Sequence, residues 1–487
     1  MNTTLIVFVV LYLLGTLAIG VWAGTRVKNT ADFAVAGRSL PLVMVITTTF
    51  ATWFGAETVM GIPAKFVQGG LNAVVEDPFG AGLCLVFVGL FFAAKLYRKN
   101  LLTIGDFYRQ RYGKGVEIFC SLAIILSYLG WVAAQVTALG LVFNILTDGA
   151  MSPQTGMVVG LLAVLIYVVI GGFLAVAWTD FIQMIVLVIG LSIIAVFAAD
   201  LAGGADKVMD LAVQKDLGRF FPEPTFTQIA MFLGSALTMM LGSIPQQDVF
   251  QRVMSAKDAK TAQRGAMIGG FSYIAFAFVP MFIVLAAVAV MGDKALDLAQ
   301  NDYQRVLPSF IMGHMPLLMQ ILFFGALLSA IKSTSSATLL APTTSFVENI
   351  LKQIRPGMSD KQQLLAMRIT LVVFAFCVLL YAIKMQGTPI YELVSAAYQV
   401  TLVGAFVPLV FGLYWSRATT QGAIFSIFGG VGVWLLFFPQ ITTWGEYFPG
   451  QLAGLLVALV GMVLGSLLPQ WLQPRHEHVS HHLPPHG

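Results

Sequence analysis

Two hydroxyl side chains and a backbone carbonyl lie at helical spacing within the apolar segment LLSAIKSTSSATLL, residues 327–340. Ala330, Ser333 and Thr334 stand at positions i, i+3 and i+4, which share one face of an α-helix. They could offer one carbonyl and two hydroxyl oxygens, the ligands that a hard cation prefers. The same spacing is typical of serine and threonine residues that hydrogen-bond neighbouring membrane helices. Two interpretations are therefore open, a cation site and a helix contact.

Two charged residues lie inside apolar segments, where an unpaired lysine costs about 2.5–3.5 kcal/mol. Lys332 could pair with an acid, weaken or replace a cation at the adjacent hydroxyls, or bind an anionic group of a substrate. Glu57 lies in ATWFGAETVMGIP, and acids in such segments usually mark an ion or substrate path. Glu57 could bind a cationic substrate, pair with Lys332 or carry a proton.

The elements that position these residues are predicted to be transmembrane helices. Hydrophobic residues make up 58% of the 487 residues, charged residues 10%, and the mean hydropathy is +0.85. This composition indicates one polytopic, all-α membrane protein. About thirteen spans are expected, numbered here in chain order. Their approximate limits are 4–24, 39–67, 75–97, 115–146, 154–174, 178–200, 226–253, 263–292, 316–350, 365–385, 388–415, 420–438 and 451–472.

Several function classes are disfavoured by the same sequence. The net charge of +4 lies in loops, so it indicates membrane orientation rather than nucleic-acid binding. The three cysteines form no CxxC pair, which argues against a metal site or a disulfide framework. No phosphate loop or nucleophile elbow is present, so an enzyme is not expected.

Charge and glycine/proline positions predict how the chain is organised. With the N-terminus outside and the C-terminus inside, cytoplasmic segments carry most of the 27 lysine and arginine residues. Span 2 contains Gly55, Gly61 and Pro63, and span 7 contains Gly242 and Pro245. Two broken helices five spans apart predict an inverted repeat, whose unwound segments bind ions and polar solutes near the membrane midplane.

The expected divisions follow from these spans. They are a first helix and cytoplasmic loop (1–38), a first repeat of spans 2–6 (39–200), an extracellular loop (201–225), a second repeat of spans 7–11 (226–415), spans 12 and 13 (416–473) and a His-rich cytoplasmic tail (474–487).

Five sequence pieces, in this order and topology, resemble the sodium/solute symporter family, which has the LeuT-type inverted-repeat fold of 5+5 helices. They are FAVAGRSLP, GDFYRQRYG, GGFLAVAWTDFIQ, DVFQRVMSAKDAKTA and SAIKSTSSATLL. IPQQDVFQRV and GLFFAAKLYRK are most similar to the choline-transporter branch.

The resemblance implies a sodium site between span 2 and span 9. Its span 9 ligands would be Ala330, Ser333 and Thr334, and the opposing carbonyls would belong to Ala51 and Phe54. Asp180, in the Trp-Thr-Asp element, is implied to help the ion enter or leave. An acidic residue that stabilises a helix start is the alternative interpretation of Asp180.

The resemblance also implies a solute site. The matching positions are Trp53, Gly55, Glu57, Trp131, Gln135, Gln246 and Gln247. Trp53 and Trp131 fall where choline transporters place aromatics that attract a quaternary ammonium. Two further aromatic positions of that cage are Gln246 and Ala81 in this chain, which puts choline itself in doubt.

The sequence thus predicts a secondary active transporter, multi-pass in the plasma (inner) membrane, that moves a small polar solute with Na⁺ by alternating access. An amino acid or a choline-like amine is the expected solute. One alternative is a proton-coupled (H⁺) or ion-independent carrier in which Lys332 and Glu57 alter the sodium site. A membrane sensor with a transporter-like fold is a second alternative. The lipid bilayer is the other expected partner, no nucleic acid is expected, and the oligomeric state is undefined.

Overall fold

The apolar runs of this chain form helices because a helix satisfies its own backbone hydrogen bonds where water is absent. The computed structural model describes residues 2–472. The predicted His-rich tail, residues 474–487, lies outside the described residues. Eight described helices are long and apolar enough to cross a membrane, or eleven if each bent pair counts as one span.

The long helices and bent pairs match the predicted spans in order. They are Thr3–Gly24, Leu42–Trp53 with Glu57–Ala73, Val75–Tyr97, Lys114–Leu146, Pro153–Leu201, Phe226–Gly242 with Gln247–Ser255, Ala259–Met291, Leu317–Ile354, Asp360–Lys384, Ile390–Gly404 with Phe406–Tyr414, Thr420–Leu436 and Gly450–Leu467. Shorter helices lie between them: Thr30–Val35, Ala36–Arg38, Ile104–Tyr112, Ala205–Gln214, Asp293–Asn301, Tyr303–Arg305, Val306–His314 and Trp444–Glu446.

The run Pro153–Leu201 contains both predicted spans 5 and 6. It has 49 residues, about twice what one crossing needs. Tyr167 donates to the carbonyl of Lys332 at 3.3 Å, and Asp180 accepts from the neighbouring Ser333 at 2.6 Å. A straight helix would hold Tyr167 and Asp180 about 20 Å apart. The helical run is therefore interrupted between them, by a kink at Gly172, whose φ of 52° suits glycine.

The two predicted broken helices are bent. Span 2 bends by 56° and span 7 by 44°. In span 2 the break covers residues 54–56, so Gly55 marks it, whereas Gly61 and Pro63 lie in helical backbone. Pro63 lies just beyond the π-helical segment Glu57–Gly61. Span 11 also bends by 44°, which the sequence analysis did not predict.

The two broken spans are joined to each other beside their ends. The N–H of Leu40 donates to the carbonyl of Ser255 at 2.9 Å, and the N–H of Lys257 donates to the carbonyl of Leu40 at 3.0 Å. This pairing holds the start of span 2 against the end of span 7. The count of thirteen spans, the N-out orientation and the limits of the repeats stay predictions.

Candidate functional site

The break in span 2 is built around a glycine that has no room for a side chain. A Cβ atom at Gly55 would lie 2.6 Å from a carboxylate oxygen of Glu57 and 2.6 Å from the hydroxyl of Thr334. It would also lie 2.9 Å from the amide oxygen of Gln135. Gly55 thus brings spans 2, 4 and 9 to one point, and three of the predicted positions surround it.

Unwinding at this break leaves backbone carbonyls for other partners. The hydroxyl of Thr334 donates to the carbonyl of Thr52 at 2.7 Å. Within residues 2–472, no backbone N–H reaches the carbonyl oxygens of Ala51 or Phe54. These two oxygens are the ones that the family resemblance implies as sodium ligands, and they flank the contact between Thr52 and Thr334.

Asp180 links the same two helices from span 6. Its carboxylate accepts hydrogen bonds from Ser333 at 2.6 Å and from Thr48 at 2.7 Å. All three residues are buried, as are Ala330 and Thr334. The seam between spans 2 and 9 is therefore lined by hydroxyl, carbonyl and carboxylate oxygens, a donor set that suits a hard cation such as Na⁺.

The sequence analysis missed a buried arginine beside this seam, Arg252. Arg252 is 3% exposed and donates to the hydroxyl of Thr52 at 2.6 Å and to the carbonyl of Asp248 at 3.0 Å. The sequence analysis gave Arg252 no role at the site. It lies on the second half-helix of span 7, Gln247–Ser255, and contacts span 2 at Thr52.

Glu57 lies across the break from the seam between spans 2 and 9, and its partners are on span 4. One carboxylate oxygen accepts from the indole N–H of Trp131 at 3.1 Å, and the other accepts from the amide of Gln135 at 2.6 Å. The amide oxygen of Gln135 in turn accepts from the N–H of Ala56 at 3.0 Å. The structure therefore brings together Glu57, Trp131 and Gln135, three of the predicted solute positions.

Aromatic rings surround this carboxylate. The ring of Trp53 lies 6.2 Å from that of Tyr273 and 6.4 Å from that of Tyr398. The ring of Trp131 lies 5.2 Å from Tyr398 and 6.0 Å from Tyr128. The three tyrosines carried no sequence signal beyond being polar aromatics inside apolar spans. They add three aromatic rings to the two tryptophans that the sequence analysis identified.

The two span 7 glutamines differ in position. Gln246 donates to the hydroxyls of Ser127 and Thr401, both at 3.1 Å, so it borders the aromatic cluster. Gln247 accepts from the N–H of Ile104 at 2.9 Å. The structure thus places Gln247 against the short helix Ile104–Tyr112 and away from Glu57.

Lys332 and Glu57 do not pair with each other. The ammonium of Lys332 donates to the hydroxyl of Thr16 in span 1 and lies 5.2 Å from the ring centroid of Tyr167. In the described part of the chain, no ion pair reaches Glu57. The geometry therefore disfavours an ion pair between Lys332 and Glu57, which was one of the alternatives for these two residues. Lys332 instead connects span 1 to span 9.

Known proteins resemble this chain along most of its length. The family model described as "Sodium:solute symporter family" matches residues 33–430. The chain is 28% identical over 441 residues to "High affinity choline transporter 1" of Homo sapiens, covering 88% of this chain and 75% of that protein. It is 26% identical over 468 residues to "High-affinity proline transporter PutP" of Bacillus subtilis (strain 168), covering 93% and 96%.

Solved structures share the fold. A Na⁺-coupled sialic acid symporter in a substrate-bound, outward-open state matches with a TM-score of 0.80 at 20% identity, covering 96% of this chain and 98% of that one. A nucleobase-cation-symport-1 family transporter in a closed conformation matches with a TM-score of 0.61 at 15% identity, covering 90% and 94%. At these identities the likeness concerns the fold alone, which is the LeuT-type fold predicted from the sequence.

Proposed function

The chain belongs to the sodium:solute symporter family, whose members couple the symport of small solutes to Na⁺, and we propose that its solute is an organic ammonium cation. The observation that carries this proposal is the carboxylate of Glu57, which is 1% exposed and is held by two N–H donors beside the break in span 2. A buried carboxylate without a cationic partner is costly. A positively charged solute would supply that partner.

The aromatic rings beside Glu57 suit the same class of solute. Faces of tryptophan and tyrosine attract ammonium groups, by about 0.5–1 kcal/mol when exposed and about 2 kcal/mol when desolvated. The rings of Trp53 and Trp131 lie 6.4 Å and 5.2 Å from that of Tyr398. We therefore place the cationic head between these rings, with Glu57 as its counter-charge.

An amino acid is the weaker candidate because its carboxylate would also need a partner. The buried cations near the seam are engaged elsewhere, Lys332 with Thr16 and Arg252 with Thr52 and Asp248. A choline-like amine needs no such partner. The choline transporters among the relatives support this choice, whereas the proline transporters support the alternative.

For the coupling ion we propose the oxygens of the seam between spans 2 and 9. The ligands would be the carbonyls of Ala51, Phe54 and Ala330 and the hydroxyls of Ser333 and Thr334, with Asp180 on the path of the ion. Because these ligands come from two helices, sodium would hold the helices together. We infer that sodium stabilises the outward-open state, that the solute binds next, and that inward opening releases both.

We also propose the membrane in which this activity takes place. The chain is a multi-pass membrane protein of a transporter family. We place it in the plasma (inner) membrane, which the bacterial relatives favour, and we assign it no covalent chemistry.

The proposal is tested by uptake into proteoliposomes, with Na⁺ and H⁺ gradients imposed separately and radiolabelled choline or proline as the probe. We expect choline uptake driven by Na⁺. Glu57→Gln should abolish it, whereas Glu223→Gln, which changes an exposed carboxylate outside both cavities, should not.

Two results would contradict the proposal. Uptake of proline but not choline would overturn the solute assignment. Sodium-driven uptake that keeps its sodium midpoint in the double variant Ser333→Ala/Thr334→Ala would overturn the ligand assignment.

A further inference from the structure

A second carboxylate lies in a cavity that the solute site does not use. The cavity has a volume of about 280 Å³ and lies among spans 2, 3, 7 and 11, on the side that the charge distribution predicts to be outside. Residues lining it include Lys65, Glu76, Ser235, Tyr391, Ser395 and Gln399. A neighbouring cavity of about 410 Å³ shares Ser235 and Gln399 with it. The two cavities adjoin at these residues, and together we call them the vestibule.

Glu76 is a buried carboxylate of this vestibule with an unpaired oxygen. It is 6% exposed, and one carboxylate oxygen accepts from the hydroxyl of Ser395 at 2.9 Å. Its other oxygen, Oε1, is buried and has no hydrogen-bond partner within residues 2–472. In that range no lysine, arginine or histidine forms an ion pair with it. A buried carboxylate oxygen in this condition is rare in proteins, because its lost hydration is not replaced.

The rest of the vestibule already holds an ammonium group over an aromatic ring. The ammonium of Lys65 lies 5.7 Å from the ring centroid of Tyr391, and that ring is 7% exposed. Both residues line the same cavity as Glu76. The chemistry of the cavity therefore matches an amine: an aromatic face for the cationic head, an unpartnered carboxylate oxygen, and a flexible lysine that can leave.

A polar connection runs from Glu76 toward the break in span 2. The adjacent Asp77 accepts from the hydroxyl of Tyr273 at 2.5 Å, and the same hydroxyl lies 3.0 Å from that of Thr58. Thr58 follows Glu57 in the chain, and Tyr273 packs against Trp53. A cation that leaves the vestibule would thus pass from one carboxylate to the next along a tyrosine-lined route.

We propose that this vestibule is an outer binding site for an organic ammonium cation, formed by Glu76 and Tyr391, which the solute occupies before it reaches Glu57. Lys65 competes for the site and is displaced when the cation binds. The inference rests on the proposed function in one respect, that the solute carries a positive charge. It adds a second site with its own residues.

The test counts radiolabelled choline bound at equilibrium to the purified full-length chain in Na⁺. Two molecules per chain are expected, and one in Glu76→Gln. Glu57→Gln should also bind one, at the outer site. The matched control is Glu223→Gln, because Glu223 is an exposed carboxylate that lines neither cavity, and it should still bind two. Lys65→Met should tighten the outer site about tenfold, since it removes the competing ammonium.

The two proposals fail in different ways. One bound molecule, lost in Glu57→Gln and kept in Glu76→Gln, overturns the outer site and leaves the proposed function standing. One bound molecule that is kept in Glu57→Gln and lost in Glu76→Gln overturns the solute site at Glu57 and supports the outer site. Loss of both molecules in Glu76→Gln, or an unchanged affinity in Lys65→Met, overturns the inference. Absence of binding to the unaltered chain overturns both proposals.

Discussion

Substitution of Gly55 by alanine is expected to disturb the proposed sodium site and the proposed solute site together. The added Cβ would lie 2.6 Å from Glu57 and from Thr334 and 2.9 Å from Gln135, whereas ordinary contacts of a Cβ begin near 3.4 Å. The hydroxyl and the carboxylate must therefore each move by several tenths of an ångström. Overpacking of this kind costs about 1–3 kcal/mol, which corresponds to about a five- to 150-fold loss of affinity.

The assay is the sodium dependence of thermal unfolding of the purified chain, with KCl keeping the ionic strength constant. An ion that binds only the folded state raises its stability as its concentration exceeds the dissociation constant. Gly55→Ala should shift this titration to at least about fivefold higher sodium. The matched control is Gly432→Ala, because a Cβ there meets nothing within 4 Å. A titration of Gly55→Ala that superimposes on the control would refute the packing argument.

Three further outcomes are expected. Lys332→Met should leave the sodium midpoint of unfolding within about threefold of the original, because the ammonium contacts Thr16 and Tyr167 rather than the seam; a larger shift would place Lys332 at the ion. Tyr398→Phe should bind choline normally, since the buried hydroxyl has no hydrogen-bond partner in the described range, while Tyr398→Ala should lose up to about 2 kcal/mol of binding measured by the same equilibrium assay. Burial, with the nearby carboxylate of Glu348, raises the pKa of Asp106 in the short helix Ile104–Tyr112 to about 8. The folded state therefore holds this proton more tightly than the unfolded state, and stability should fall as the pH rises from about 4 to 8. Thermal unfolding across that range should show a smaller fall for Asp106→Asn, and equal falls would contradict the assignment.

Local sequence patterns predicted much of the fold. Long apolar runs predicted the helices, and glycine with proline predicted the bends in spans 2 and 7. The bend in span 11 and the helical backbone at Gly61 and Pro63 were not predicted. A glycine or proline in the sequence shows where a helix can bend. Whether it does bend there depends on how the neighbouring helices pack.

The candidate site was predictable only in part for a related reason. Ser333 and Thr334 were found because helical spacing places them on one face. Tyr273, Tyr398 and Arg252 were missed because nothing along the chain distinguishes a buried polar residue that faces a site from one that faces a loop. Sequence distance also hid the outer carboxylate Glu76, which meets Ser395 from a helix near the other end of the chain.

The sequence by itself determined that this protein is a bundle of membrane helices, that spans 2 and 7 are broken, and that Ala330, Ser333 and Thr334 share one face of span 9. These properties depend on composition and on periodicity within one helix. The tertiary structure alone decided that Glu57 meets Trp131 and Gln135, and that Lys332 turns to Thr16 in span 1. The height and rotation of each helix against its neighbours set those pairs, and neither is encoded in the local pattern of a single helix.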